Sequence, residues 1–304
     1  MLEARGELLA GVAMDLAWGD PQWLPHPVRA IGFCAEAAEK FWRKTRLPLR
    51  VAGGMFWISV VGATVSIVKL APRFLNTYWI YSFLACRDLD VHALQVLSAL
   101  ERGDMVEARR KLSLIVGRDT ADLNEPEIIR AVIETVAENL SDGVVAPLFY
   151  LALGGPAAMA AYKAVNTLDS TAGHRNEIYQ DFGLVSAKMD DLANFLPARL
   201  SAVLIWCAAA ILPGLSAIRA FKTTVRDGRN QPSPNAGFPE GAVAGALGVQ
   251  LGGLNFYGGV PSRKATLGEP TAALDRRTYQ KVRVLLYAVE VILVAALCGW
   301  SRRK

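Results

Sequence analysis

Four stretches of this chain, 51–68, 143–162, 200–218 and 241–262, contain no Asp, Glu, Lys or Arg. Residues 101–142, by contrast, hold 16 charged side chains in 42 positions. Segregation on that scale implies two solvents, lipid and water, because an uncharged apolar run of ~18 or more residues is long enough to cross a bilayer. A further apolar run, 284–300, is interrupted by Glu290. Composition agrees with this reading: the chain is 52% hydrophobic and 20% charged, with a mean hydropathy of +0.25. It excludes disorder, collagen and a disulfide scaffold. The expected fold is all-α: a polytopic integral membrane protein with four to six membrane helices, at least one broken or re-entrant, plus amphipathic cytosolic helices. We expect a single membrane-embedded domain over 1–304, with polar, cytosolic segments at 19–50, 87–142, 163–199 and 219–240.

The net charge of +5 does not point to nucleic acid. Lys40, Arg43, Lys44, Arg46 and Arg50 precede one apolar run, and Arg302, Arg303 and Lys304 follow another. Both clusters fit cytoplasmic flanks under the positive-inside rule, which suggests a multi-pass plasma-membrane protein with a cytoplasmic active face. The start of the chain has no signal-peptide pattern: Glu3, Arg5 and Glu7 precede a short apolar run broken by Asp15. Cys34, Cys86, Cys207 and Cys298 are scattered without a Cys-x-x-Cys pair and read as buried, inert thiols.

Along the chain, three prolines within residues 19–28 forbid a regular helix there. Residues 51–68 are the cleanest span, and Phe74 to Cys86 can return from it as the second arm of a helical hairpin. From Leu89 to Ile115 the apolar residues recur at helical spacing, which predicts two amphipathic helices separated near Gly103. A helix is predicted from Pro126, with Glu127, Arg130, Glu134 and Glu138 on one face. Gly154-Gly155-Pro156 breaks the run 143–162 and suggests a re-entrant hairpin or a lined cavity. Gly241, Gly245, Gly248 and Gly252 make 241–262 a further span candidate suited to tight helix packing.

Three polar constellations exceed what solubility requires. In the first, Glu134, Glu138, Asn139 and Asp142 sit where a helix meets an apolar run, an oxygen-rich set that suits Mg²⁺. A solvated helix face is the plainer reading of the same stripe. In the second, Lys163, Asn166 and Asp169 or Ser170 share a helical face, and His174, Arg175 and Asn176 follow Gly173. Lys and Arg beside Asn and Ser are natural phosphate ligands. His174 is a candidate general base, since an ordinary imidazole titrates near neutrality, although a hydrogen-bonded loop histidine fits equally well. In the third, Lys188, Asp190, Asp191 and Asn194 precede an apolar run that begins near Arg199; the acids can bias a helix N-terminus or hold a divalent cation. A fourth segment, Ser233, Asn235 and Glu240 among prolines and glycines, can cradle a substrate or simply connect two helices. There is no Walker-type phosphate loop, no G-x-G-x-x-G, no H-E-x-x-H and no G-x-S-x-G.

Taken together, six runs resemble one family, adenosylcobinamide-phosphate synthase of cobalamin biosynthesis. They are Asp20-Pro21 with Leu24-Pro25-His26-Pro27-Val28, Gly117-Arg118-Asp119-Thr120, and residues 134–150, 162–183, 186–200 and 233–237. The resemblance covers nearly the whole chain. Two positions depart from the family's usual pattern: Thr171 where relatives often carry Met, and Gln231 where they often carry His.

The resemblance implies an ATP-dependent acid–amine ligase. A propionate of adenosylcobyric acid would be joined to (R)-1-aminopropan-2-ol or its O-phosphate, with ATP and Mg²⁺ driving the step. It implies His174, Asp169 and Lys163 as catalytic groups. Arg118, Asp119, Asn166, Arg175, Asn176, Lys188, Asn194, Arg199, Ser233, Asn235 and Glu240 would contact substrates. Glu134, Glu138, Asn139, Asp142, Asp190 and Asp191 would hold metal. The lipid bilayer is the expected surrounding, with a second copy of the chain or other membrane enzymes of the pathway as partners. Two other readings compete: a transporter of a corrinoid or anionic solute, and a Mg²⁺-dependent transferase acting on lipid phosphates through Asp190-Asp191.

Overall fold

A computed structural model describes residues 2–173 and 178–300, with side chains from 5 to 299. The described chain gathers into two compact units, one built from residues 2–85, 142–195 and 297–300 and the other from 86–141 and 196–296.

In the first unit, α1 (Leu2–Trp18) ends where the proline-rich turn begins, and α2 (Pro27–Arg43) starts on Pro27 itself. Proline is suited to a first helical position because it has no N–H to leave unpaired. Lys40 and Arg43 in its last turn complement the helix dipole. α3 (Leu49–Leu70) is 22 residues long, about 33 Å at 1.5 Å per residue, which matches a hydrocarbon core of ~30 Å. The aromatic run after Pro72 is not the second arm of a membrane hairpin. Its helix, α4 (Asn76–Phe83), has eight residues, about 12 Å, and buries Ile80, Tyr81 and Phe83 in the unit's core. α4 packs on α1.

The second unit contains α5 (Cys86–Glu101) and α6 (Met105–Leu112), which pack together and are separated at Gly103 as the periodicity predicts. α7 (Glu125–Leu140) packs on α5 and opens on a capping box. Asn124 Oδ1 accepts from Glu127 N, and the Glu127 carboxylate accepts from Asn124 N. One π-helical turn, Ser141–Val145, follows.

α8 (Ala146–Ala172) and α9 (Leu184–Ala193) return to the first unit, where both pack against α3. Backbone angles at Gly154 (φ −150°, ψ 24°) and Gly155 (φ 68°, ψ −164°) leave the helical region, so α8 is broken where the Gly-Gly-Pro signal places the break. Two glycines make the packing around α3 possible. A Cβ on Gly53 would lie 1.9 Å from the Phe182 carbonyl oxygen, and one on Gly183 would lie 1.7 Å from that of Ala172.

The remaining elements belong to the second unit, apart from Phe195 and residues 297–300. α10 (Phe195–Ile211) is followed by α11 (Ala217–Asp227) and α12 (Gly237–Leu247), the last two in intimate contact. An antiparallel hairpin, β1 (Leu251–Tyr257) and β2 (Val260–Leu267), precedes α13 (Arg276–Trp300).

The stretch 241–262 is therefore not a membrane span. Gly248 adopts the left-handed conformation (φ 73°) and stops α12 after eleven residues. Gly252 and Gly253, at φ 80° and 88°, keep the chain out of helix. Close packing by small residues does hold for Gly241 and Gly245, which face α11. Among the described residues, Leu49–Leu70, Glu125–Ala172, Leu184–Ile211 and Arg276–Gly299 are long and apolar enough to cross a membrane. The architecture is that of an all-α polytopic membrane protein with one small hairpin. Cys86 is buried, but Cys34 and Cys207 are exposed, contrary to the expectation of four buried thiols.

Candidate active site

The first unit holds a polar cluster among apolar helices. The π turn carries Asp142, the far half of α8 carries Tyr162, Lys163, Asn166 and Asp169, and α9 presents Asp190 with Asn194 at its C-cap. Asn166 joins the three elements. Its Nδ2 donates to Asp142 Oδ2 at 3.3 Å and to Asp190 Oδ1 at 3.4 Å. Asn194 Nδ2 donates to the other Asp190 oxygen at 3.0 Å. Asn194 is in turn held by Tyr162, whose hydroxyl donates to its Oδ1 at 2.8 Å. Tyr162 stacks on Tyr150, with ring centroids 5.1 Å apart, and Tyr150 OH donates to the Ala193 carbonyl at 3.0 Å.

Charge is concentrated around this frame. Asp169 and Asp191 lie close enough to act electrostatically on Asp190, and Asp142, Asp20 and Asp15 act in the same way on Lys163. Gly173 leaves room for Asp169, since a Cβ there would fall 1.9 Å from Asp169 Oδ1. Lys188 is exposed on α9. His174, Arg175 and Asn176 lie outside the described residues.

Oxygen donors from Asp142 and Asp190 thus converge within hydrogen-bond reach of one amide. Hard carboxylate oxygens on separate rigid elements are the donor type that Mg²⁺ accepts alongside water and phosphate. The residues present fit that ion, and Asp142 and Asp190 are the two that would hold it.

The Leu24-Pro25-His26-Pro27 run takes a different place in the first unit. His26 Nε2 lies 3.0 Å from Asp20 Oδ1, and Tyr78 OH donates to the Pro25 carbonyl. An apolar cavity of about 290 Å³ opens beside them, lined by Pro25, His26, Cys34, Thr64, Tyr78 and others.

The second unit holds another charged group, centred on the hairpin. Arg118 Nη1 donates to Asn255 Oδ1 at 2.7 Å, and its Nη2 donates to Glu134. The second Glu134 oxygen accepts from Gly252 N at 2.7 Å. Arg130 donates to the Gly252 carbonyl and to Asn255 Oδ1, the latter at 3.1 Å. Asp119 accepts from the tip amides of Gly258 and Gly259 at 3.0 and 2.7 Å. In this geometry Arg118, Asp119 and Glu134 anchor the hairpin.

Glu138 is exposed on α7, and the Asn139 amide donates to the Thr135 carbonyl at 2.9 Å. Glu240 is buried, and burial holds its carboxyl well above the usual range, with the negative charges of Glu138 and Glu134 adding to the effect. Arg199, Ser233 and Asn235 come together. Arg199 Nη1 donates to Asn235 Oδ1 at 3.3 Å and its guanidinium lies over the Phe238 ring at 4.1 Å. Ser233 Oγ accepts from Asn235 N and Ala236 N at 3.3 and 3.2 Å. Gln231, where relatives often have His, donates to the Ala265 carbonyl at 3.0 Å and so fastens the hairpin.

A family model described as CobD/Cbib protein matches residues 8–286. The chain belongs to the CobD/CbiB family. It is 48% identical to the cobalamin biosynthesis protein CobD of Geobacter metallireducens, over 97% of this chain and 96% of that one. It is 43% identical to CobD of Clostridium perfringens, over 96% of each chain. The cobalamin biosynthesis protein CbiB of Salmonella typhimurium is likewise 43% identical, over 95% of this chain and 96% of its own. No solved structure matches significantly.

Sequence reasoning passed over several residues of these clusters in this family member. Tyr162 directly precedes Lys163 and faces inward with it, but an aromatic residue in an apolar run reads as packing. Tyr150 is masked in the same way. Arg130 was grouped with a solvated stripe, yet it ties the hairpin. Asn255 sits in a glycine-rich stretch that reads as a span, and its carboxamide, with that of Gln250, is the polar signal there.

Proposed function

We propose that this member of a family with a role in cobalamin biosynthesis is an amide-forming synthase. It joins a propionate of adenosylcobyric acid to (R)-1-aminopropan-2-ol or its O-phosphate, giving adenosylcobinamide or its phosphate. The observation that carries the reading is the convergence of Asp142 and Asp190 on Asn166, beside Lys163, in the first unit. A carboxylate is a poor electrophile, so the reaction needs activation. A carboxylate oxygen bonds to the γ-phosphorus of ATP and ADP leaves. The amine nitrogen then bonds to the acyl carbon, the bond from that carbon to the phosphate oxygen breaks, and phosphate departs.

Mg²⁺, when bound, neutralises negative charge on the phosphates. The chain's own residues do the remaining work. Asp142 and Asp190 fix the position of that charge, and Asn166 and Asn194 hold the Asp190 carboxylate in orientation. The Lys163 ammonium opposes the phosphate charge that builds in the transition state. The amine must attack in its neutral form, and His174 and Asp169 are the bases that the sequence offers for its proton. The apolar helices around the cluster suit a large amphiphilic corrinoid.

Purified protein in vesicles, given adenosylcobyric acid, ATP, Mg²⁺ and each amine in turn, tests the proposal. The expected result is a mass gain equal to amide formation, dependent on ATP and abolished in Asp142→Asn. Corrinoid uptake into the vesicles without a mass change would replace this reading with transport. Turnover of a lipid diphosphate without corrinoid would replace it with lipid-phosphate transfer.

A further inference from the structure

Three stripes run along α11. Ala220, Thr223, Thr224 and Asp227 are buried, on the face that packs against α12. Gly245 permits that contact, since a Cβ there would lie 2.4 Å from the Arg219 carbonyl oxygen and 2.8 Å from Ala220 Cα. The second stripe is apolar and open: Ile218 is 70% exposed, Phe221 50% and Val225 63%. The third is basic, with Arg219, Lys222 and Arg226 exposed and Arg229 just past the helix end.

Single exposed apolar side chains are ordinary. Three in line beside a row of cations are the pattern of a helix lying in the plane of a membrane surface. The helix also starts in the right place. It follows α10, the end of the apolar stretch Leu184–Ile211, after a turn at Pro213-Gly214. Trp206, five residues before the end of α10 and so about 7.5 Å back along its axis, bridges the two helices. Its Nε1 donates to Thr224 Oγ1 at 3.2 Å, and its ring meets Phe221 edge-on with centroids 5.1 Å apart. Tryptophan concentrates at membrane–water boundaries, so Trp206 and Phe221 share an interfacial depth. Arg226 is paired with Asp227 and Glu269. Lys222 and Arg229 are therefore the cations best placed to meet headgroups.

We propose that α11 is an in-plane interfacial helix. Its Ile218–Phe221–Val225 stripe enters the boundary between headgroups and acyl chains, and Lys222 and Arg229 bind anionic lipid headgroups. The segment 219–240 then begins at the membrane surface rather than in open cytosol. This inference is independent of the reaction proposed above.

The test uses the full chain with Cys34, Cys207 and Cys298 replaced by Ser. An environment-sensitive fluorophore is placed at Ile218→Cys or Val225→Cys, with Asp122→Cys as the exposed reference. Two positions on the stripe guard against one that disturbs folding. The protein is reconstituted in phosphatidylcholine vesicles with or without phosphatidylglycerol, and quenched either by lipid spin-labelled near the top of its acyl chain or by soluble iodide. Labels at 218 and 225 are expected to emit to the blue of the label at 122, and to be quenched by the lipid and spared by iodide. Lys222→Gln and Arg229→Gln, each read through the label at 225, are expected to lower the docked-to-undocked ratio about five-fold in phosphatidylglycerol vesicles, and to leave it unchanged in neutral ones. A label at 225 that behaves like the one at 122 overturns the proposal. So does a blue-shifted label untouched by the lipid quencher, which would mark a protein–protein face. Equal effects of the glutamine substitutions in both vesicle types would overturn the headgroup assignment.

Discussion

The two polar clusters use the same residue types to opposite ends. In the first unit, Asp190 accepts from two neutral carboxamides, Asn166 and Asn194. In the second, Glu134 accepts from the Arg118 guanidinium and a backbone amide, with both residues buried. A carboxylate oriented by neutral amides has none of its charge cancelled by those partners. A carboxylate closed by a guanidinium has its charge cancelled and serves as a rivet. If the first cluster is the site, as proposed, then the charge of the acids' partners, rather than their number, is what separates it from the hairpin anchor.

The comparison breaks most visibly at Arg118. Arg118→Ala removes the short ion pair of buried Glu134 and leaves it only the longer one to Arg130, 4.0 Å away, so the cost is expected near the low end of the about 3–5 kcal/mol seen for breaking a buried pair. Chemical unfolding of the purified protein should show that loss, and Arg118→Met combined with Glu134→Leu should recover part of it, because an apolar pair has no stranded charge. Asp190→Asn should show the reverse signature. Unfolding should stay near wild type while amide formation falls beyond the roughly 10–100-fold that loss of a metal ligand's outer partner costs. Asp190→Asn protein that unfolds early yet turns over normally would erase the distinction between the clusters.

Glu240 sharpens it through pH. Its folded-state pKa lies above its unfolded value, so the folded protein holds this proton more tightly. The resulting stability is fully present below the unfolded pKa and is lost as pH rises through the folded one. Glu240→Gln should flatten that decline when unfolding is followed from acid toward neutral pH. The smallest effect is expected at Tyr162→Phe. It removes the hydroxyl that holds Asn194, costs about 1 kcal/mol in stability, and loosens Asp190 enough to raise the Mg²⁺ concentration needed for half-maximal turnover.

Much of the helical frame was legible because its signals are local. Pro126 and the acids around it mark the start of α7, Gly103 separates α5 from α6, and Gly154-Gly155-Pro156 breaks α8. The helix was legible too: Lys163, Asn166, Asp169 and Ser170 do lie on one helix, α8. The hairpin was not read, because an uncharged run of glycines and apolar residues looks the same whether lipid or protein covers it. Gly258-Gly259, after Phe256-Tyr257 and before Val260, was the turn signal that marked it. The division between site and rivet was also out of reach, since Arg118 and Glu134 meet across 16 residues and Glu134 and Gly252 across 118.

The hairpin is fastened at its tip through Asp119, at Asn255 through Arg118 and Arg130, and at its base through Glu134. A ribbon tied at three levels has no frayed end from which to peel. Its amides should therefore exchange with solvent as a block. Gly252, Gly258 and Gly259 should share one opening rate, and cutting a single tie should accelerate all three together.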